Sequence, residues 1–132
     1  MGASTRKVRV RKVAMTELKK EVEAATRAEL NRASAKFPLF NSPHEGYAVI
    51  LEELEESKEA LDVVTSSMAV MWDRVRGKEV ASFHEKETRP TAIYNQAIEA
   101  ACEIIQTAAM LLKYETSIRS SGEESEGMDY VQ

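Results

Sequence analysis

Acidic side chains are concentrated in one segment near the middle of the chain. Glu52, Glu53 and Glu56 stand at positions i, i+1 and i+4, so on a helix they occupy neighbouring positions within one turn. Like charges at these spacings repel, and no Lys or Arg occurs between Glu45 and Glu56 to relieve the repulsion. We therefore expect a bound cation here, with an acidic surface patch in water as the alternative.

A second group of polar side chains lies on a later, apolar segment. Glu99, Glu103 and Gln106 share one face of a stretch that consists otherwise mainly of alanine, isoleucine and leucine. A buried carboxylate such as Glu103 must be protonated, paired with a cation or bound to a metal, because burying an unpaired charge is costly. Two helices that present oxygen ligands to each other form divalent-metal sites, and such ligands favour Mg²⁺ or Mn²⁺ over Zn²⁺.

The elements that must position these residues are helices. Residues with high helix propensity dominate the 132-residue chain, and its five glycines and three prolines are few, which predicts an all-α fold. We expect helices over about 16–36, 43–76 and 91–118, interrupted by Pro38, by Gly77 and by a charged connection. The expected architecture is a helical bundle of about three to four helices.

Residues 42–45 contain a complete signal for the start of the second helix. Ser42 can cap the helix, Pro43 suits its first position, and Glu45 can reach back as the partner of a capping box. The second helix is therefore expected to begin at Pro43.

Two long apolar surfaces predict that the chain associates with itself. Apolar residues from Tyr47 to Val75 alternate three- and four-residue steps along the second helix, interrupted only by Ser57. The last helix is apolar on nearly every face between Ile98 and Leu112. Three helices of one chain do not easily cover both surfaces, so we predict that a homodimer or homotetramer completes the bundle.

Composition and charge limit the class of protein. We predict a flexible basic arm over residues 1–12, a helical domain over 13–118 and a disordered acidic tail over 119–132. The net charge of −4 argues against general nucleic-acid binding, and no apolar stretch is long enough for a membrane span. The amino terminus lacks a secretory signal, and the single Cys102 cannot form an internal disulfide. We therefore expect a soluble, cytoplasmic protein.

Two segments of the chain resemble the MazG-like branch of the all-α nucleoside triphosphate pyrophosphohydrolases, especially the versions carried by phages and prophages. The first is HEGYAVILEELEE over residues 44–56, and the second is EIIQTAAM over residues 103–110. The resemblance covers roughly residues 15–118. It implies a helical enzyme that uses Mg²⁺ to hydrolyse nucleoside triphosphates to monophosphate and pyrophosphate.

The family binds Mg²⁺ through an EExxE element on one helix and an ExxD element on a later one. Glu52, Glu53 and Glu56 match the first element, and Glu103 matches the first acid of the second. Gln106 stands where the second element usually ends in aspartate, and its amide oxygen can bind a cation but brings no charge. The resemblance therefore implies a Mg²⁺ site, with Mn²⁺ as an alternative ion, formed by Glu52, Glu53, Glu56, Glu103 and Gln106.

The resemblance also implies roles around the metal. Glu53 or Glu52 would take a proton from the water that attacks the α-phosphorus, and Lys58 and Lys113 would contact phosphate oxygens. Because Gln106 is neutral, the alternative function is a helical protein that binds or sequesters a nucleotide without hydrolysing it. A further alternative is an interaction protein whose acidic face contacts a basic partner.

Overall fold

The structure is a computed structural model that describes residues 2–36, 39–79 and 85–124. Within these residues the chain forms three long helices and no strand: α1 over Gly2–Ser34, α2 over Pro43–Val75 and α3 over Pro90–Glu124. α3 packs against both α1 and α2, so it is the central element of the bundle. The predicted all-α class is therefore confirmed.

α2 begins as the sequence predicts. The Ser42 side chain accepts a hydrogen bond from the backbone N–H of Glu45 at 3.1 Å. The Glu45 carboxylate in turn reaches back to Asn41, whose side-chain amide donates to it at 3.0 Å, one residue before the partner expected in a capping box. At the other end, Gly77 follows the helix with a φ of 79°, a left-handed conformation that favours glycine.

α1 extends further toward the amino terminus than the sequence predicts. It begins at Gly2 instead of near Thr16, and it ends at Ser34. No proline or glycine interrupts the chain between Ala3 and Ser34, so nothing in the local sequence stops the helix. The boundary at residue 12 between a flexible arm and the helical domain stays a prediction.

α3 also exceeds its predicted length. It begins at Pro90 and continues to Glu124, past the predicted end near residue 118. The predicted acidic tail therefore begins within α3, and its residues 125–132 lie outside the described residues. Residues 80–84 of the charged connection lie outside them as well.

Arg74 near the end of α2 holds the last part of the connection. Its guanidinium group donates to the backbone carbonyl of Thr88 at 2.7 Å, to the Thr88 hydroxyl, and to the carbonyl of Glu85 at 3.0 Å. Gln96 of α3 donates to the carbonyl of Glu87 at 3.0 Å. These bonds connect the end of α2 to the start of α3.

The buried core is small and lies where α1 and α2 are joined. Phe40, in the loop between these helices, packs with Ala109 and Met110 of α3. Gly46 of α2 is buried beside Tyr114, and a Cβ atom at this position would collide with the Tyr114 ring, so the close approach requires glycine. Partly buried apolar side chains surround this cluster: Leu30, Ala33, Val49, Ile50 and Tyr114.

Much of the predicted apolar seam of α2 remains exposed in a single chain. Leu54 is 40% exposed, Leu61 57% and Met68 44%, whereas Ser57 is buried against α3. Among the described helices, only α3 packs extensively on α2, and this packing leaves much of the seam open to solvent. The predicted homo-oligomer stays a prediction, and this exposed side is where it would form.

The described helices do not meet the requirements of a membrane span. None of them combines the length and the apolar character that crossing a lipid bilayer needs.

Candidate metal centre

Three glutamates from two helices converge on one point. Glu53 and Glu56 of α2 and Glu103 of α3 each offer one carboxylate oxygen, and these three oxygens lie within 4.8 Å of one another. Glu53 and Glu103 are half-buried, whereas Glu56 is exposed. The cluster therefore lies at the edge of the α2–α3 interface, with one side open to solvent.

Two oxygens of this cluster have unmet bonding capacity. Oε2 of Glu53 and Oε2 of Glu103 are buried and have no hydrogen-bond partner in the described part of the chain. The ion pairs formed among the described residues involve other carboxylates, so no Lys or Arg neutralises the three glutamates. Because an orphaned buried carboxylate oxygen costs free energy, a proton, a cation or an ordered water at these oxygens would stabilise the cluster.

Burial and neighbouring charges raise the pKa of the two cluster glutamates on α2, Glu53 and Glu56. Desolvation contributes most to the raised pKa of the Glu53 carboxyl, and the charges of Glu56 and Glu103 raise it further. At Glu56, desolvation contributes most to the raised pKa, and the charges of Glu103 and Glu52 and a side-chain hydrogen bond with Glu103 add to the rise. Both carboxyls hold protons more tightly than an ordinary glutamate does, and a divalent cation would relieve the same repulsion.

A pair of hydroxyl groups fixes the two helices next to the cluster. The hydroxyl oxygens of Ser57 on α2 and Thr107 on α3 lie 3.1 Å apart in the buried interface. The Ser57 hydroxyl is also 2.9 Å from the carbonyl oxygen of Glu53, and the Thr107 hydroxyl is 3.2 Å from that of Glu103. The backbone at Glu53 and the backbone at Glu103 are thus tied to the same cross-helix contact.

α1 contributes a fourth acidic residue that the sequence did not single out. The charge of Glu29 raises the pKa of Glu53, which places Glu29 in the electrostatic neighbourhood of the cluster. Its side chain is 26% exposed and accepts hydrogen bonds from Arg32, from Nε at 3.0 Å and from Nη2 at 2.5 Å. In the sequence, Glu29 and Arg32 form an ordinary i, i+3 pair. Only the packing of α1 reveals that Glu29 lies near Glu53.

The other predicted site residues lie around the cluster or away from it. Glu52 is exposed, and its charge contributes to the raised pKa of Glu53 and Glu56. Gln106 is half-buried on α3, three residues after Glu103 and therefore on a neighbouring part of the same face. Glu52 supplies none of the three convergent acidic oxygens, and Gln106 is related to the cluster by its position one helical turn after Glu103.

The two lysines predicted to contact phosphate have different surroundings. Lys58 is exposed on α2, where it borders an apolar groove with Leu54 and Leu61. Lys113 is only 6% exposed, and its Nζ lies 4.6 Å from the centroid of the Phe40 ring. Its Cα lies about 15 Å along α3 from that of Glu103 at 1.5 Å per residue, so the structure does not place it in the cluster.

The composition of the cluster suits a hard divalent cation. Carboxylate oxygens are the ligands that Mg²⁺ and Mn²⁺ prefer, and the described site contains no histidine or cysteine ligand that would favour zinc. The two orphaned oxygens of Glu53 and Glu103 supply unused acceptors. The open side beside Glu56 leaves space for water or for a phosphate oxygen. The residues present therefore fit a Mg²⁺-type ion.

Comparison with known proteins does not assign the chain to a family. No protein-family model matches the chain, and neither a curated protein nor a solved structure matches it. The geometry of the carboxylate cluster is therefore the structural observation that bears on function.

Proposed function

We propose that this protein binds Mg²⁺ at the carboxylate cluster and hydrolyses a nucleoside triphosphate, or a related nucleotide, to the monophosphate and pyrophosphate. The observation that carries the proposal is the convergence of Glu53, Glu56 and Glu103 within 4.8 Å, with two buried oxygens that lack a partner. The EExxE resemblance connects this geometry with nucleotide chemistry, since the same residues match the family's metal ligands.

In the proposed site, Glu53, Glu56 and Glu103 hold the ion, and Glu52 and Gln106 complete its surroundings. A bound Mg²⁺ would neutralise phosphate charge and lower the pKa of a water molecule. Mn²⁺ would satisfy the same oxygen ligands. The hydrogen-bonded hydroxyls of Ser57 and Thr107 keep the two halves of the ligand set at a fixed separation.

Glu52 and Glu53 are the proposed proton acceptors for the attacking water. Glu52 is exposed, so it faces the solution from which water and nucleotide arrive. Glu53 is half-buried, one of its oxygens lacks a hydrogen-bond partner among the described residues, and its carboxylate converges with those of Glu56 and Glu103. General-base catalysis of this kind contributes typically about 10²- to 10⁴-fold to a rate, so loss of the base should be easy to detect.

The proposal is tested by measuring pyrophosphate release from a panel of ribo- and deoxyribonucleoside triphosphates in the presence of Mg²⁺. Wild-type protein should release pyrophosphate, and Glu53→Gln should lower the rate by at least about a hundredfold. Glu55→Gln is the matched control, because Glu55 is an exposed glutamate on the same helix outside the cluster. If no nucleotide is hydrolysed by the wild-type protein, the enzymatic proposal is wrong.

A second candidate function is nucleotide binding without turnover, and Gln106 is the observation that favours it. A neutral amide in place of a carboxylate weakens the attraction for Mg²⁺ while leaving one oxygen ligand. Calorimetry would then show binding of intact nucleotide with Mg²⁺ while no pyrophosphate appears. Gln106→Asp, which restores the usual acid, distinguishes the two functions because it should increase turnover only if the remaining site is catalytic.

We also propose that the working form is a cytoplasmic homo-oligomer, a dimer or tetramer. Apolar residues of α2 and α3 that remain exposed in one chain support this proposal, among them Leu61 at 57% and Leu111 at 51% exposure. Light scattering coupled to size-exclusion chromatography tests it, and a clean monomer at micromolar concentration would contradict it.

A further inference from the structure

A second groove lies between α2 and α3, toward the connection that joins them. It has a volume of about 330 Å³, and Val63 and Val70 form apolar parts of its wall. The remaining residues that border it are polar: Asp62, Ser66, Ser67, Glu87, Thr88 and Gln96. The groove is therefore chemically different from the apolar groove beside Lys58.

Two polar groups in the wall of this groove make no hydrogen bond to the described residues: the amide oxygen of Gln96 and the hydroxyl of Ser67. The amide nitrogen of Gln96 donates to the carbonyl of Glu87 at 3.0 Å, which fixes the orientation of the amide. Its oxygen, Oε1, is buried and has no partner among the described residues. Ser67 is only 7% exposed, and within the described part of the chain its hydroxyl makes no hydrogen bond. A buried amide oxygen is normally satisfied, so Oε1 of Gln96 points to a ligand, and the Ser67 hydroxyl is a second group that such a ligand could use.

The groove offers many acceptors and few free donors. Asp62 and Glu87 are exposed carboxylates that form no ion pair with any described residue. The Thr88 hydroxyl already accepts a hydrogen bond from Arg74. Together with Oε1 of Gln96, these acceptors call for a ligand that presents N–H or O–H donors. The apolar wall of Val63 and Val70 favours a ligand with a flat, weakly polar surface.

The position of the groove relates it to the carboxylate cluster. Gln96 precedes Glu103 by seven residues on α3, and Val63 follows Glu56 by seven residues on α2. Seven residues correspond to two helical turns, which return nearly to the same face about 10 Å further along the axis. The groove thus continues the line of the cluster, at a separation that the phosphates and sugar of one nucleotide span.

We propose that this groove binds the base of the nucleotide, and that it selects bases with an exocyclic amino group, adenine or cytosine. The amino group would donate to Oε1 of Gln96, the Ser67 hydroxyl would bond to a ring nitrogen or carbonyl, and the ring would lie against the two valines. This inference rests on the proposed function, because it places the phosphates of the same nucleotide at the carboxylate cluster.

The first test uses nucleosides without phosphate or metal, so that binding reports on the groove alone. Cytidine is compared with uridine and adenosine with inosine, since each pair differs by an amino group in place of a carbonyl at one ring position. Nuclear magnetic resonance titration should shift the Gln96 side-chain amide signal. In at least one pair, the amino-bearing nucleoside should bind about tenfold more tightly, as expected for one additional satisfied hydrogen bond.

Substitutions of groove residues test whether the preference for amino-bearing nucleosides comes from the groove. Gln96→Met should abolish the preference and leave uridine and inosine binding unchanged, and Ser67→Ala should weaken all binding in the groove. Asn95→Met, at the neighbouring exposed position, is the matched control and should keep the preference. Equal affinity within both pairs, or a preference that survives Gln96→Met in a protein with unchanged melting temperature, would overturn the inference.

A second measurement separates this inference from the proposed function. The four corresponding triphosphates are assayed for pyrophosphate release with Mg²⁺, in wild-type protein and in Gln96→Met. Hydrolysis of both members of each pair with equal kcat/KM would overturn the base assignment while the pyrophosphohydrolase proposal stands. Selective binding of cytidine or adenosine at Gln96 without any hydrolysis would support the base site while the enzymatic proposal fails.

Discussion

Glu53 and Glu103 approach each other from α2 and α3, and each buries a carboxylate oxygen that has no hydrogen-bond partner in the described part of the chain. Glu56 completes the group from the exposed edge. Three negative charges are thus held together by helix packing, which makes the stability of the fold sensitive to anything that neutralises them.

Mg²⁺ should therefore stabilise the folded protein through Glu53 and Glu103. An ion that binds only the folded state, present at about a hundred times its dissociation constant, would raise the free energy of unfolding by roughly 2.7 kcal/mol. Thermal unfolding with and without Mg²⁺ measures the effect. Glu103→Gln should remove most of the increase, whereas Glu55→Gln should retain it. An equal Mg²⁺ response in both variants would show that the ion binds elsewhere.

The pH dependence of stability without divalent ions follows from the raised pKa values of Glu53 and Glu56. The folded protein holds these protons more tightly than the unfolded chain, in which glutamate titrates near 4.5, so unfolding releases protons. The contribution of these groups to the free energy of unfolding is therefore greatest below that pH. It falls as the pH rises from 4.5 through the raised folded-state values.

Urea denaturation in chelator, from about pH 4 to about pH 8, tests this dependence. The Glu53→Gln variant cannot ionise at that position. As the pH rises, its free energy of unfolding should therefore increase relative to that of the wild-type protein. A difference between the two proteins that stays constant with pH would contradict the assignment of raised pKa values to the cluster.

The contact between Ser57 and Thr107 should contribute to both stability and metal affinity. Each hydroxyl has one hydrogen, so one of them donates across the interface while the other donates to the carbonyl one turn earlier in its own helix. Thr107→Val keeps the shape but leaves the Ser57 hydroxyl with one partner fewer, and should destabilise the protein by about 1 kcal/mol. A double-mutant cycle with Ser57→Ala measures the coupling free energy between the two hydroxyls. If the two changes in the free energy of unfolding are strictly additive, the contact does not contribute to stability.

Gly46 should tolerate no side chain. A Cβ atom at this position would collide with the Tyr114 ring beside the Phe40 core, and overpacking of this kind typically costs about 1–3 kcal/mol. Gly46→Ala should lower the melting temperature, and Tyr114→Leu in the same chain should recover part of the loss by making room. Ala48→Ser, an exposed change on the same helix, serves as the control. An unchanged melting temperature for Gly46→Ala would contradict the close approach.

The cluster could be predicted largely because its members stand at short, regular spacings on helices. The start of α2 after Ser42 could be predicted from local capping chemistry. Glu53 and Glu56 lie three residues apart on this helix, so they stand within one helical turn. Glu103 was identified as an acid in an apolar stretch, where only a partner or a metal makes burial acceptable. These inferences use local sequence, and the structure brings the three residues together.

Other features depend on packing between distant segments and gave little local signal. Glu29 belongs to an i, i+3 ion pair with Arg32 that looks like any surface pair, yet it influences Glu53 on another helix. The family resemblance implies a phosphate contact for Lys113, but this residue is buried over the Phe40 ring because the loop before α2 folds onto α3. The buried oxygen of Gln96 likewise appears only once α3 is placed beside the connection.

The most direct test of the central claim is pyrophosphate release by the wild-type protein and by Glu53→Gln, with Mg²⁺ or with chelator, in water labelled with oxygen-18. We predict that wild-type protein with Mg²⁺ converts at least one nucleoside triphosphate to pyrophosphate and a monophosphate that carries the label. Chelator or Glu53→Gln should reduce the reaction by about a hundredfold or more. Absence of pyrophosphate from every nucleotide, or a rate that is the same in Glu53→Gln, would contradict a catalytic Mg²⁺ site at this cluster.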